Sequence, residues 1–134
     1  RGDINLTFKR YLEAPVRLAL EADYVTRIEG NGADAEMMRA YLAAWGEREA
    51  YAVSHVGFGL NRKARYEALA MYDRRDTNGT ELRAVAGNFL FSTGANEFAG
   101  RYTAGHFDIP VMGTTIVVDD VEVVRAGDLQ EVFA

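Results

Sequence analysis

Apolar and polar residues alternate along several short stretches of the chain, which is the pattern of half-buried β-strands. The alternation runs over residues 4–8, 16–20, 24–28 and 51–60. Ala22 and Asp23 separate the second and third of these stretches, so we predict a hairpin there. Residues 114–118 and 121–124 show the same pattern around two aspartates and predict a second hairpin.

A helical period of apolar residues follows Asp34, which is a candidate N-cap. The stripe consists of Met38, Tyr41, Leu42 and Trp45. Gly46 is a suitable C-terminal stop, so we predict a helix that packs this stripe into the core. A second, shorter helix is predicted over residues 61–72, with Ala64, Ala68 and Met71 facing inward.

Residues 81–93 fit both periods, and we predict a strand because Gly87 is costly in a helix and phenylalanines suit a sheet. Residues 92–97 are predicted to form a polar loop, and a further strand over 106–109 is expected to end at Pro110. Together these elements predict an α+β fold, with a mixed, mostly antiparallel sheet and two or three helices.

Composition excludes several classes of protein. The 134 residues fit one domain, and a net charge of −5 without a basic run gives no electrostatic basis for binding nucleic acid. No apolar stretch approaches the ~20 residues that span a bilayer. The absence of cysteine excludes disulfides and thiolate metal sites, and with no signal peptide we expect a cytoplasmic protein. The start at Arg1, inside a strand-like segment, predicts a piece of a longer polypeptide.

The two histidines of the chain, His55 and His106, are the centre of its candidate chemistry. Asp108 follows the second histidine at i+2, so both side chains point to the same face of a strand. With His55 from another strand, they form the two-histidine, one-carboxylate set of non-haem Fe(II) enzymes that activate oxygen. The spacing is equally compatible with an ordinary histidine beside a surface aspartate, and it leaves both interpretations open.

Other catalytic patterns are missing. The chain has no Gly-x-Ser-x-Gly elbow, no His-Glu-x-x-His helix and no phosphate-binding loop. A ring-opening dioxygenase also needs donors that stabilise charge near the metal. Arg83 and Ser92 are candidates for that role, although a solvated arginine and a loop hydroxyl are the alternatives. Weaker candidates are Tyr102, Glu49 and Glu97.

Four runs of the chain carry a family resemblance. They are GDINLTF at 2–8, SHVGFGLN at 54–61, GNFLFSTGANE at 87–97 and GHFD at 105–108. These runs resemble the C-terminal part of the 2,5-dihydroxypyridine 5,6-dioxygenase family of nicotinic acid degradation. That family is similar in fold to the leucyl aminopeptidase T metallopeptidases.

The resemblance implies Fe(II) held by His55, His106 and Asp108, with Arg83 and Ser92 at substrate contacts. It implies that O2 opens the dihydroxypyridine ring between C5 and C6 to give N-formylmaleamate. Residues 1–134 would then be the metal-binding part of a longer two-domain enzyme, inactive alone because the family's proposed base lies elsewhere.

Two histidines favour one metal ion over the two of the related peptidases, and we expect a homo-oligomer. The alternatives are a metallopeptidase-type domain with zinc or manganese and a non-catalytic domain that supplies only sheet and oligomer contacts.

Overall fold

A computed structural model describes residues 2–131. Its strands are β1 (Ile4–Asn5), β2 (Arg10–Tyr11), β3 (Arg17–Glu21), β4 (Tyr24–Glu29), β5 (Val53–Phe58), β6 (Phe89–Asn96), β7 (Arg101–Val111), β8 (Ile116–Val118), β9 (Val121–Arg125) and β10 (Asp128–Leu129). Its α-helices are α1 (Ala33–Trp45), α2 (Ala68–Met71) and α3 (Thr80–Ala84), and 3-10 turns lie at Arg48–Tyr51 and Glu97–Ala99.

The strand pairs β1–β2, β3–β4, β8–β9 and β9–β10 are antiparallel. Strands β5, β6 and β7 form a further sheet in that order. The predicted α+β class, with mostly antiparallel sheets and few helices, is therefore confirmed. None of the helices in residues 2–131 has the length and apolar character needed to cross a bilayer.

The chain divides into two compact units. The first unit consists of Arg1–Tyr11, Gly57–Leu90 and Ile109–Ala134. The second unit consists of Leu12–Val56 and Phe91–Asp108.

Side chains from β1, the turn that follows it and the two short helices form the core of the first unit. Its buried members are Ile4, Leu6, Ala68, Leu69 and Leu82, with Tyr11 and Tyr66 packed against them. The two tyrosine rings lie 5.1 Å apart, and the Tyr11 hydroxyl donates to the Tyr66 carbonyl at 2.9 Å. The hydroxyl thus keeps a partner while most of the ring is removed from water.

A buried asparagine fixes the segment that follows helix α3. The Asn88 side chain accepts from the Gly59 backbone N–H at 2.7 Å. Its amide donates to the carbonyls of Leu82 at 3.0 Å and Arg83 at 3.1 Å. Since α3 is a short helix, these two bonds satisfy carbonyls that lack a helical partner.

We expect Asn88→Ala to lower the free energy of unfolding by about 2–4 kcal/mol, because it leaves buried backbone groups without partners. Urea denaturation measures this loss. The control is Asn78→Ala, since Asn78 is exposed and its side chain accepts from the Thr80 N–H at 2.9 Å. Equal losses for the two variants would show that burial of Asn88 does not matter.

The second unit is built around the β3–β4 hairpin and helix α1. Ala22 and Asp23 adopt positive φ angles of 48° and 68°. These angles suit a two-residue turn whose twist matches the strands, so the predicted hairpin is confirmed. Met38 and Leu42 of α1 are buried, and the Arg39 guanidinium donates to the Ile28 carbonyl of β4 at 2.9 Å.

Asp34 does not cap helix α1, so that prediction is wrong. The helix starts at Ala33 with Gly32 as its N-cap, and Asp34 lies within the first turn. The Asp34 carboxylate is buried and accepts from the backbone N–H groups of Glu13 at 2.9 Å and Ala14 at 3.1 Å. It therefore fixes the chain that enters β3, a contact across twenty residues that local sequence does not encode.

Replacing Asp34 with alanine is expected to cost about 2–4 kcal/mol of stability, because charge-assisted bonds to buried donors are among the strongest. Thermal or urea unfolding tests this. Glu36→Ala serves as the control, since Glu36 is exposed and its 2.8 Å ion pair with Arg39 is worth at most about 1 kcal/mol. A loss for Asp34→Ala no larger than the control would contradict the assigned role.

Several further predicted elements need correction. Residues 6–9 form a turn, so the strand predicted over residues 4–8 is interrupted. In the segment 61–72, which was predicted to be a helix, only Ala68–Met71 is α-helical. Met71 is 52% exposed and does not face inward. Residues 92–96 continue strand β6 instead of forming a loop.

Two corrections have a clear steric origin. Residues 80–84 form helix α3, where a strand was predicted, because fully buried Leu82 belongs to the core of the first unit. Gly87 has φ +82°, and a Cβ there would overlap the Gly127 carbonyl, so this glycine serves a turn.

Strand β7 continues through Pro110, where the predicted strand was expected to end. It is a terminal strand in the order β5-β6-β7, and edge strands tolerate a missing N–H.

Candidate functional site

Four of the five predicted site residues lie together on one sheet. His55 is on β5, Ser92 on β6, and His106 and Asp108 on β7. Because β6 lies between β5 and β7, one face of three neighbouring strands brings these side chains together. All four belong to the second unit. Phe107, between the last two, points the opposite way and is 1% exposed.

The imidazoles and the carboxylate converge on one oxygen atom. Asp108 Oδ1 lies 3.1 Å from His106 Nε2 and 3.9 Å from His55 Nε2. The two imidazole rings are nearly parallel, with centroids 5.7 Å apart and an interplanar angle of 25°. The Asp108 side chain is 8% exposed, whereas those of His55 and His106 are 44% and 45% exposed. The acid is therefore held inside the protein, and both rings remain open to ligands from solvent.

The two imidazoles and the carboxylate are donors that suit a divalent transition metal. The separations between these donor atoms, however, do not all match those of ligands on one ion. Imidazole nitrogen and carboxylate oxygen ligands bind such ions at roughly 2.1 Å, so neighbouring ligand atoms at a right angle lie about 3.0 Å apart. The His106–Asp108 pair meets this spacing, whereas the His55–Asp108 pair is wider. Within residues 2–131, no group of three or more His, Cys, Asp or Glu side chains is close enough to hold a metal ion as it stands.

The Ser92 hydroxyl contacts both members of the wider pair. Its hydroxyl lies 3.0 Å from His55 Nε2 and donates a hydrogen bond to Asp108 Oδ1. Ser92 is fully buried, so this hydroxyl is a fixed part of the site. It contacts donors on both β5 and β7, and shortening the His55–Asp108 separation by about 1 Å would bring that one pair to the right-angled spacing estimated above.

A glycine makes room for the second imidazole. Gly94 on β6 has φ +126°, and a Cβ at this position would lie 3.2 Å from His106 Nδ1 and would overlap the Gly105 carbonyl. A side chain on Gly94 would therefore press against both the backbone and the ring of β7.

Helix α1 supports the opposite face of β7. The Tyr41 hydroxyl donates to the His106 carbonyl at 2.9 Å, and its ring packs edge-on against Phe107 with centroids 5.5 Å apart. Gly105 lets the strand approach closely, since a Cβ there would lie 3.0 Å from Trp45. Tyr41 and Trp45 belong to the apolar stripe of α1 that was predicted to pack into the core. They lie against the strand that carries His106 and Asp108, although Trp45 itself is 38% exposed.

Ser54 contacts the first histidine from the other side. Its hydroxyl lies 3.3 Å from His55 Nδ1 and donates to the Ala95 carbonyl of β6 at 2.6 Å. Ser54, Gly94 and Tyr41 were not among the predicted site residues. Ser54 adjoins His55 in the sequence, which was the one available signal.

Arg83 belongs to the first unit, where it lies half-buried in the last turn of α3. The weaker candidate Tyr102 is on β7 and is 69% exposed, while Glu49 and Glu97 lie in the two 3-10 turns. The roles of Arg83 and Ser92 at the substrate, and of the two histidines and Asp108 as ligands, stay predictions.

Comparisons with known proteins agree with the resemblance seen in the sequence. Residues 1–131 match the model of a family described as 2,5-dihydroxypyridine 5,6-dioxygenase. A curated protein of that name from Pseudomonas putida KT2440 is 42% identical over 130 residues, which are 96% of this chain and 37% of that protein. The solved structure of 2,5-dihydroxypyridine dioxygenase from the same strain is similar over 97% of this chain, with a TM-score of 0.91 and 42% identity.

The match extends over nearly the whole chain, but it covers only 38% of the solved chain. The chain thus spans well under half the length of the relatives that it matches. The resemblance itself is confirmed.

Proposed function

The chain belongs to the 2,5-dihydroxypyridine 5,6-dioxygenase family, and from this premise we propose that the protein opens the ring of 2,5-dihydroxypyridine with O2. Cleavage between C5 and C6 would give N-formylmaleamate, as a step in nicotinate degradation. The proposal also includes a cytoplasmic location and a homo-oligomer.

We propose that His55, His106 and Asp108 hold the metal and that the metal is Fe(II). The observation that supports this is the convergence of both Nε2 atoms on Asp108 Oδ1, at 3.1 and 3.9 Å. Two neutral imidazoles and one carboxylate leave positions free on such an ion. When bound, Fe(II) supplies the centre at which O2 and a chelating substrate meet.

The protein's own groups prepare this site in two ways. The buried Asp108 carboxylate supplies a negative charge that would balance a divalent cation, and Ser92 holds one of its oxygens by donating a hydrogen bond. The two imidazole edges are almost half exposed, so a small planar substrate would reach the site from the open face of the sheet.

Substrate contacts are proposed for Arg83 and Ser92 on the basis of the family resemblance. A guanidinium pairs with an oxyanion through a planar, two-pronged contact, which suits a deprotonated hydroxypyridine. The Ser92 hydroxyl is beside two of the proposed ligands, so a substrate held there would lie next to the metal.

Oxygen uptake tests the proposed reaction. Full-length protein loaded with Fe(II) under anaerobic conditions is mixed with 2,5-dihydroxypyridine and O2. We expect one O2 consumed per ring, with both oxygen atoms of labelled O2 recovered in N-formylmaleamate by mass spectrometry. No uptake by iron-loaded protein would contradict the proposed substrate, and two bound zinc ions with peptidase activity would support the metallopeptidase alternative instead.

A further inference from the structure

We propose that Tyr41 of helix α1 is a positioning residue for the candidate metal site. It holds the backbone of β7 at His106 and Phe107, and it thereby fixes the His106 imidazole relative to the Asp108 carboxylate. The inference rests on the proposed metal-binding function of these two residues. Tyr41 belongs to the same compact unit as both of them and lies outside the predicted ligand and substrate contacts.

Tyr41 contacts two consecutive residues of β7. Its hydroxyl donates to the His106 carbonyl at 2.9 Å, and its ring packs edge-on against that of Phe107 with centroids 5.5 Å apart. Because a carbonyl oxygen only accepts, the hydroxyl proton of Tyr41 points to the strand. The hydrogen bond and the ring contact together restrict rotation and displacement of the peptide unit that joins His106 to Phe107.

This peptide unit lies between the two proposed ligands of the strand. His106 and Asp108 flank Phe107, and their side chains share one face because they are two residues apart. The separation of 3.1 Å between His106 Nε2 and Asp108 Oδ1 therefore depends on the pleat of residues 106–108. A rotation of the peptide unit that Tyr41 holds would move one of these donor atoms relative to the other.

Helix α1 supports β7 from outside its sheet. In the order β5-β6-β7 of the described strands, β7 is terminal and has β6 as its neighbour. The helix is itself well anchored, because Met38 and Leu42, which precede and follow Tyr41, are 2% and 0% exposed. Tyr41 thus connects the buried part of α1 to the strand that carries His106 and Asp108.

A pair of tyrosine variants separates positioning from stability. Tyr41→Phe removes the hydroxyl and keeps the ring, so it tests the hydrogen bond alone. The matched control is Tyr11→Phe, which deletes a hydroxyl that donates to the Tyr66 carbonyl, also at 2.9 Å, in the first unit. Each variant loses a bond of the same chemistry, so we expect similar decreases in the urea midpoint.

Metal affinity should distinguish the two variants. In full-length protein titrated with Fe(II), or with Co(II) as a spectroscopic probe, we expect Tyr41→Phe to bind about 3–10-fold more weakly than wild type, the range that one neutral hydrogen bond supports. Tyr11→Phe should retain the wild-type affinity. The visible spectrum of bound Co(II) reports the arrangement of its ligands, and it should change in Tyr41→Phe but not in Tyr11→Phe.

The backbone of β7 can also be observed in metal-free, full-length protein. Labels of 13C at histidine carbonyls and 15N at phenylalanine select the His106–Phe107 peptide bond within this chain, because His55 precedes a valine. The signal lost in His106→Gln assigns this bond. We expect Tyr41→Phe to shift the carbonyl signal and to speed amide exchange in residues 106–108, and Tyr11→Phe to leave both unchanged.

The outcomes separate this inference from the proposed function. If wild-type protein binds metal and Tyr41→Phe keeps its affinity and Co(II) spectrum, the inference is wrong and the proposed function stands. An equal loss of affinity in Tyr11→Phe would also overturn the inference, because the effect would then follow stability. If wild-type protein binds no metal, the proposed function fails. The carbonyl and exchange signals of Tyr41→Phe then decide the inference, which a change supports and identity with wild type overturns.

Discussion

Replacing His106 with alanine is expected to remove stoichiometric Fe(II) from the full-length protein and to abolish ring opening. The substitution deletes the imidazole that lies 3.1 Å from Asp108 Oδ1, closer than His55 does. Loss of an outer partner already costs about 10–100-fold in affinity, so loss of a ligand should weaken binding by more than about 100-fold. Iron content after anaerobic gel filtration, with oxygen uptake on the same sample, measures the effect.

The matched control for this experiment lies on the same strand. Ala104→Ser changes an exposed residue of β7 two positions before His106 and should leave both iron content and activity close to wild type. Circular dichroism of both variants separates loss of metal from loss of fold. Full iron occupancy in folded His106→Ala would exclude His106 as a ligand.

Gly94→Ala is expected to have a large effect on stability, at about 3 kcal/mol or more, since strain and overpacking each typically cost about 1–3 kcal/mol. At φ +126°, alanine is strained, and its Cβ would overlap the Gly105 carbonyl and lie 3.2 Å from His106 Nδ1. The same displacement should move the ring and weaken metal binding, so urea denaturation and iron titration are both informative.

Two other glycines separate the causes of this effect. Gly100 has φ +67°, and a Cβ added there would have no neighbour within 4 Å, so Gly100→Ala tests backbone strain without a clash. Gly57 has open space and no positive φ, so Gly57→Ala should be nearly neutral. A loss for Gly94→Ala no greater than that for Gly100→Ala would show that the approach of β6 to β7 imposes no steric constraint.

Elements with strong local signals could be predicted from the sequence. Ala22-Asp23 and Asp119-Asp120 form the turns expected between alternating strands, and all four residues adopt positive φ. Helix α1 ends at Trp45 with Gly46 in a left-handed C-cap, as predicted. In each case the residues that decide the conformation are neighbours in the chain.

The failed predictions involve partners far away in the sequence. Asp34 resembles an N-cap until it is paired with the N–H groups of Glu13 and Ala14. Residues 80–84 become helical because Leu82 packs into a core assembled from distant segments. Such tertiary contacts override local propensity, and a single sequence does not reveal them.

The candidate site could likewise be predicted only where its residues are close together in the sequence. The i, i+2 spacing placed His106 and Asp108 on one face of a strand, and the β5-β6-β7 order brings His55 and Ser92 to them. That order depends on strand pairing, which residue types alone did not give. The supporting contacts of Ser54, Tyr41 and Gly94 likewise depend on how neighbouring elements pack against the site.

Anomalous diffraction at the iron absorption edge, from crystals of the full-length protein loaded with Fe(II), tests the proposed metal centre most directly. We predict one iron peak per chain, within about 2.2 Å of an imidazole nitrogen of His55, an imidazole nitrogen of His106 and a carboxylate oxygen of Asp108. An iron ion bound elsewhere, with these three side chains uncoordinated, would contradict the proposed centre.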